Sequence, residues 1–372
     1  MNRKNLITVL TVEVIIAACA LVFIVAAFWI KPLGPSLDLP SSQLGQAENS
    51  NAPPDATPDI QISSTDPTAT PSSLLSQITS ILQPKSVLSR PLCGGPAEMT
   101  ILLVGSDERK SDYYYGLADS IRLVRIDFTT PSVMLLDIPR DLWVEIPDIS
   151  DHYGITHGKL NQAYFFGNPG MGYYDGPDEG PGLLARTLEL NFGVHVDHYL
   201  AMNMKTFINL VDTLGGIDIH VASLIDLNEN RDGANPNLVY EPGDYHLDGT
   251  EALRLARSRV PTIFQRARFQ TMVLRAFENK LLTPAMIPQW PQIISQFTQA
   301  VQTDLSPSQI SQLVCIGQTV AKENITTVAF PDDMFESGSI YDPYRQVYTY
   351  ILDVDYTQLR TYFADFIRGT WP

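Results

Sequence analysis

Positive charge is scarce in this chain. Lysines and arginines number 25 against 41 aspartates and glutamates, a formal net charge of −16 over 372 residues. Nucleic acid is held mainly by basic surfaces that neutralise phosphates. The balance therefore argues against a nucleic-acid partner, and any anion site must be local. Cysteines are too few for a disulfide framework: Cys19, Cys93 and Cys315 are the only three. The histidines His152, His157 and His195 lack metal-ligand spacing, which argues against zinc. The segment "VGSDE" is not the strained Gly-x-Ser-x-Gly turn of a hydrolase, so no hydroxyl nucleophile is evident. No internal repeat is apparent. Apolar residues are plentiful, at 44% with 18% charged, enough for a core, so wholesale disorder is excluded.

Hydrophobicity is concentrated first at 6–30, "LITVLTVEVIIAACALVFIVAAFWI", long enough to cross a bilayer. Arg3 and Lys4 precede it, which places the N-terminus inside and the remainder outside the cytoplasmic membrane. A cleaved signal peptide is the rival reading, but its apolar core would be shorter and no small-x-small site precedes Pro32. Glu13 is the one acid within the span, read as protonated or reaching the interface. Residues 1–31 thus read as cytoplasmic tail and single-pass anchor. Residues 32–91 hold ten of the 27 prolines among Ser, Thr, Asn and Asp, the composition of a semi-extended tether. The folded domain is expected over 92–372, with its motif core near 97–282. Cys93 and Cys315 fall outside the cytoplasm, where an even pair can form a disulfide if the fold brings them together; spacing alone leaves that open.

Apolar runs and turn signals predict strands at 99–107, 120–128, 132–141, 198–204 and 217–221. Helices are predicted at 180–191, 205–214, 249–257, 266–282, 287–301 and 306–318, with Gly215-Gly216 stopping the second. Strands interleaved with helices indicate an α/β layered domain around a central sheet.

Against the acidic background, "RLARSRVPTIFQRARFQ" (254–270) gathers Arg254, Arg257, Arg259, Arg266 and Arg268. Other charged residues recur where the predicted strands end: Asp107 and Arg109, Asp119, Arg140-Asp141, then Lys159. Ligands of α/β sheets bind at strand ends. Arginines there suit phosphate through paired hydrogen bonds, and carboxylates beside them suit Mg²⁺ shared with phosphate oxygens. The bland readings are that Asp107 and Asp119 are turn residues, that Arg140 is a loop cation, and that Arg254 and Arg275 are solvated surface charge. Arg257 and Arg259, two apart, do not share a helix face.

The ordered blocks "ILLVGSDER", "ADSIRLVRID", "VMLLDIPRDLWVEIP", "KLNQAY", "FINLVDTLGGIDIHV" and "EPGDYHLDGTEALRLARSR" resemble the LytR-CpsA-Psr (LCP) family over roughly Thr100 to Lys280. The resemblance implies a layered α/β/α sandwich with a central mixed sheet, anchored outside the cytoplasmic membrane by one transmembrane helix. It implies a transferase that moves a glycopolymer from a polyprenyl pyrophosphate lipid to peptidoglycan, with Mg²⁺ (or Mn²⁺) as cofactor. On matching positions, Asp107 and Asp119 would be the metal-linked carboxylates. Arg140, Arg257 and Arg259 would clamp the pyrophosphate, with Arg109 and Lys159 nearby, and Arg266 and Gln270 match the family's "RxxRQ" segment. The general base is unassigned, with Asp119 the candidate. The chain departs from the family at Leu117 and Phe269, where the family has Arg, and at Ile263, where it has Asp. Those departures keep two alternatives open: a non-catalytic polyprenyl-phosphate binder, and a pyrophosphatase with water as acceptor.

Overall fold

A computed structural model describes residues 30–37, 39, 90–108, 113–228, 235, 238–258, 263–281, 283, 285–286, 289, 292–293 and 300–372; of 263–267 and 278 it describes the backbone only. The expected span up to Trp29, most of the expected tether and of the 287–301 helix, and the side chains of Arg109, Arg259 and Arg266 lie outside the described residues. Among the described residues, no helix is long and apolar enough to cross a membrane.

The first strand, β1 (Glu98–Ser106), is buried along most of its length, as its unbroken apolar run requires when both faces are covered. It pairs antiparallel with β2 (Ala118–Asp127), which pairs antiparallel with β3 (Ser132–Asp137). Asp127 shapes the turn into β3 by accepting from the Thr129 and Thr130 amides at 2.8 and 2.7 Å. β3 stops at Asp137, so the "IPRD" once expected to end the strand is loop. A small ribbon, β4 (Trp143–Glu145) with β5 (His157–Lys159), leads into α1 (Leu160–Gly167) and α2 (Glu179–Phe192). β6 (His198–Asn203) then returns parallel to β1.

Asn203 caps α3 (Met204–Thr213) by accepting from the Thr206 amide at 2.8 Å. Beyond it Gly215 and Gly216 take φ of 73° and 85°, the left-handed geometry that lets the chain turn into β7 (Ile217–Val221). Two short ribbon strands, β8 (Ile225–Asp226) and β9 (Val239–Tyr240), precede β10 (Gly243–Leu247), which pairs with β7. Asp248 and Glu251 form a capping box on α4 (Gly249–Arg257), and α5 (Ile263–Leu281) follows. The remaining elements are β11 (Gln302–Thr303), α6 (Pro307–Thr319), β12 (Ile325–Val328), the hairpin β13 (Glu336–Asp342) and β14 (Val347–Asp353), and α7 (Tyr356–Arg368).

The central sheet has six strands in the order β11-β6-β1-β2-β3-β12, with parallel pairs at β1–β6 and β3–β12, so it is mixed. On one face Leu102, Ile121 and Leu123 pack with Tyr164 of α1, Leu184 of α2 and Phe363 of α7. On the other, Met99, Ile101 and Ile126 meet Ile316 of α6. Helices on both faces make the expected α/β layering, and a separate apolar cluster joins α3, α4 and α5 to β7 and β10 through Val211, Leu255, Val273, Ile219 and Leu247.

Two features secure the domain's entry. Cys93 and Cys315 form a disulfide, Cα to Cα 5.8 Å, across a sequence separation of 222 residues. Earlier in the chain, the Leu33 amide donates to the Leu305 carbonyl at 3.3 Å and Tyr199 Oη donates to the Pro35 carbonyl at 3.1 Å. Leu37 and Leu39 pack on the main core. These residues, assigned to the tether by composition, are bound to the domain.

Candidate functional site

Topology alone brings the charged residues together. β1 and β3 end at the edge of the sheet where antiparallel β2 begins, and β12, parallel to β3, ends there too. That edge receives Asp107 after β1, Asp119 at the start of β2, Asp137 to Asp141 after β3, and the 329–335 segment after β12.

Asp107 sits half-buried at the mouth of an excursion that is closed by its own backbone and side chain. Its amide donates to the Leu117 carbonyl at 3.0 Å, and its Oδ1 accepts from the Leu117 amide at 2.7 Å. Leu117, where an arginine was expected from the resemblance, thus contributes backbone. Gly116 takes φ +120°, and a Cβ there would lie 2.5 Å from Ser106 Oγ, so the closure needs glycine. Tyr113 anchors the same excursion from below: its buried hydroxyl donates to the Ala300 carbonyl at 2.6 Å and accepts from the Asn203 amide at 3.0 Å. Burial is the main cause that raises the Asp107 carboxyl above its ordinary pKa. The Leu117 hydrogen bond opposes this, the Asp119 charge adds to it, and Arg140 and Arg257 oppose it. Three of the residues picked from sequence, Asp119, Arg140 and Arg257, therefore act electrostatically on a fourth, Asp107.

Next along the edge is a relay of opposite charges. Arg140 Nη1 donates to Asp119 Oδ1, and its Nε lies 3.3 Å from Asp141 Oδ2. Lys159 Nζ donates to Asp141 Oδ1 at 2.9 Å and stands 5.6 Å from the centre of the Tyr350 ring. The start of α1 positions Arg140, whose carbonyl accepts from the Asn161 amide at 3.1 Å. Asp137 is held separately by the buried Arg122, Nε to Oδ1 2.9 Å and Nη2 to Oδ2 3.2 Å.

The relay lines a cleft of about 1180 Å³ with Asp119, Arg140, Lys159 and Gln270 on its walls. The opposite wall is α5. Arg268, Met272, Arg275 and Asn279, spaced by four, three and four, line the cleft, whereas Phe269 and Val273 face the core between them. Phe269 is therefore a core residue, and Arg268 supplies a guanidinium one position earlier. Arg275, read from sequence as solvated surface charge, also lines the cleft.

Three stretches contribute beyond the residues assigned a role from sequence. Asp141, read from sequence only as a charge beside Arg140, joins Arg140 to Lys159. Phe330, Asp332 and Phe335 follow β12 into the cleft, and Tyr350 and Leu352 enter from β14; "AFPDDMF" had carried no chemistry. Asp332 Oδ2 lies 3.5 Å from Arg268 Nη2. Arg257 closes α4 and is exposed. Arg109 and Arg259 fall outside the described residues, as does the Arg266 side chain.

Among the described residues, no group of three or more His, Cys, Asp or Glu is placed to hold a metal ion. Asp107 and Asp119 nonetheless fit a Mg²⁺ that shares its shell with phosphate oxygens, because such a site needs only one or two carboxylates. Burial is the main cause of the raised Asp107 pKa and the Asp119 charge adds to it; a cation there would offset both.

The LytR_cpsA_psr family model matches residues 85–358. An Oceanobacillus iheyensis protein named polyisoprenyl-teichoic acid–peptidoglycan teichoic acid transferase TagU is 31% identical over 233 residues, covering 62% of this chain and 66% of that one. A Bacillus anthracis protein of the same name is 27% identical over 215 residues, 57% of this chain and 62% of the other. The matches thus span less than two thirds of the length of these relatives. Among solved structures, B. subtilis TagV superposes with a TM-score of 0.55 at 22% identity, over 74% of this chain and 98% of that one. A structure of TagT bound to LIIa-WTA gives 0.51 at 20% identity, over 74% and 89%. At these identities the structures share the fold.

Proposed function

The chain belongs to the LytR-CpsA-Psr family, and on that premise we propose that it is a membrane-anchored envelope transferase. It moves a glycopolymer from a polyprenyl diphosphate carrier to peptidoglycan or a similar acceptor. One observation carries the reading. The Asp119–Arg140–Asp141–Lys159 relay opens onto a cleft whose other walls include Ile138, Ile219, Met272, Phe330 and Phe335. A charged edge beside apolar walls matches an amphiphile with an anionic head.

In phosphoryl transfer, positioning and charge stabilisation supply most of the catalysis. Arg140 is held ready by two carboxylates and exchanges Asp119 for phosphate oxygens when the diphosphate enters. Lys159 and Arg257 add charge, joined by Arg109, Arg259, Arg266 and Gln270 from the arginine-rich segments. Asp107 and Asp119 would hold Mg²⁺, which supplies further neutralisation of the diphosphate when bound. An acceptor hydroxyl attacks the sugar-linked phosphorus. The new bond is acceptor oxygen to phosphorus, the bridging P–O bond breaks, and polyprenyl phosphate leaves with the electron pair. Asp119 is the candidate to take the hydroxyl proton. A non-catalytic lipid binder is the second reading, favoured by Ile263, where the family has an aspartate.

Turnover by the full chain in detergent tests the reading. Polyprenyl phosphate should be released, and acidification should slow release at a higher pH than an ordinary carboxylate would impose, since Asp107 acts ionised and its pKa is raised. Asp107→Asn should lower the rate by about a hundred-fold or more and abolish that acidic limb. The same variant should melt higher at neutral pH. The fold disfavours ionised Asp107; that cost is absent well below the ordinary pKa of 3.8, grows above it, and is complete above the raised folded value. Absence of release at any pH would favour the binder.

A further inference from the structure

The hairpin β13–β14 presents a face that the phosphate chemistry does not use. Its register sets Tyr341 opposite Tyr348, Ser339 opposite Tyr350 and Ser337 opposite Leu352. Cross-strand partners and alternate residues share a face, so the tyrosines form one strip. Thr349 and Ile351 on the other face are buried, and at the inner end Leu352 packs into the main core and its amide donates to the Asp141 carbonyl at 3.1 Å. On the strip Tyr350 is 37% exposed, Tyr341 49% and Tyr348 76%. The Tyr341 and Tyr348 rings meet edge to face, 5.5 Å apart at 65°.

The strip has an inner and an outer end. Tyr350 and Leu352 line the cleft, where Lys159 stands over the Tyr350 ring. From Tyr350 the strand runs outward roughly 10 Å to the turn, at about 3.3 Å per residue. At the turn Tyr344 packs 5.8 Å from Tyr153. Tyr153 is 80% exposed and held at φ +56°. Left-handed backbone at a bulky residue costs about 1–3 kcal/mol, and a ring left in water returns little of that to the fold.

We propose that this tyrosine strip is the acceptor subsite, which holds an uncharged pyranose glycan chain and leads one of its hydroxyls to the diphosphate. The proposal rests on the transferase reading. A pyranose ring offers a face of polarised C–H groups, which suits the electron-rich face of tyrosine, and its hydroxyls suit the phenol tips and the hydroxyls of Ser337 and Ser339. Rigid amphipathic tyrosines give such contact at small entropic cost. Ser337, Ser339, Tyr341 and Tyr348 carry no charge, so the outer strip offers an anionic chain no ion pair. Continuity with the cleft through Tyr350 is what ties the strip to the reaction.

The test uses the full chain in detergent, with an N-acetylglucosamine hexamer as soluble probe and insoluble peptidoglycan, freed of attached polymers, for co-sedimentation. Tyr348→Ala and Tyr153→Gly should each weaken binding of both about ten-fold or more, and should raise the KM for acceptor with kcat little changed. Tyr348→Trp should bind like the parent. Tyr153→Gly relieves the left-handed backbone, so loss of fold is not expected to confuse its result. Affinity for a short-chain polyprenyl diphosphate should be the same in all. Glycan binding unchanged in the variants, or absent in the parent, with diphosphate affinity intact overturns the strip and leaves the transferase reading standing. A parent that neither binds the diphosphate nor releases polyprenyl phosphate overturns both.

Discussion

Arg140→Ala should lower transfer by about a thousand-fold, the range in which one preorganised donor or charge-stabilising arginine falls. The side chain is half-buried, between Asp119 and Asp141, at the point where three strands of the sheet present their ends. A guanidinium fixed there meets charge developing on a bridging oxygen without reorganising. Removal also takes from Asp119 and Asp141 the guanidinium that both contact, while Lys159 stays 2.9 Å from Asp141. The variant should therefore melt lower as well as turn over slowly. Arg140→Lys keeps the charge but loses the planar fork, so it should recover only part of the rate. Measuring kcat well below the melting temperature of each variant separates chemistry from unfolding. Turnover within ten-fold of the parent in Arg140→Ala would remove Arg140 from the transition state.

The second large effect concerns stability. Breaking the Cys93–Cys315 bridge, by reduction or by Cys93→Ser with Cys315→Ser, should cost about 2–5 kcal/mol. The bridge spans a separation of 222 residues, for which the chain-entropy argument gives about 5 kcal/mol. Outside the bridge the entry segment is held by few contacts: the Leu92 amide on the Phe128 carbonyl at 2.7 Å and Gln312 Nε2 on the Gly94 carbonyl at 2.9 Å. The bridge lies on the α6 side of the sheet, so the effect should appear in denaturant midpoint. Coincident unfolding curves with and without reductant, with both thiols free by mass, would contradict it.

Much of the fold was legible because its signals are local. β1 is an apolar run, α4 announces itself by Asp248 three residues before Glu251, and Gly215-Gly216 stops α3 as two left-handed glycines must. The order of charges at successive strand ends is a local signal too, and the antiparallel register sets Asp107, Asp119 and Arg140 at one side of the sheet. What stayed hidden depends on non-local pairing. β12 is a four-residue edge strand, and "ESGSIYD" of β13 lacks alternation because its exposed side carries Ser and Tyr and its inner side includes Gly338. The entry of the C-terminal segment into the cleft follows from the parallel β3–β12 pair, which joins residues nearly two hundred positions apart. Comparison with the family marks Phe269 only as a departure; its role follows from the phase of α5, where Phe269 and Val273 are buried and Arg268, Met272 and Arg275 line the cleft.

The most direct measurement follows a label placed in the sugar of a polyprenyl diphosphate-linked glycopolymer, incubated with the full chain and peptidoglycan in the presence of Mg²⁺. The account predicts that the label becomes covalently bound to peptidoglycan through a phosphodiester, in step with release of polyprenyl phosphate. It predicts loss of both with Arg140→Ala. Polyprenyl phosphate released with the label remaining on free sugar phosphate would mean that water is the acceptor, and would contradict the transferase.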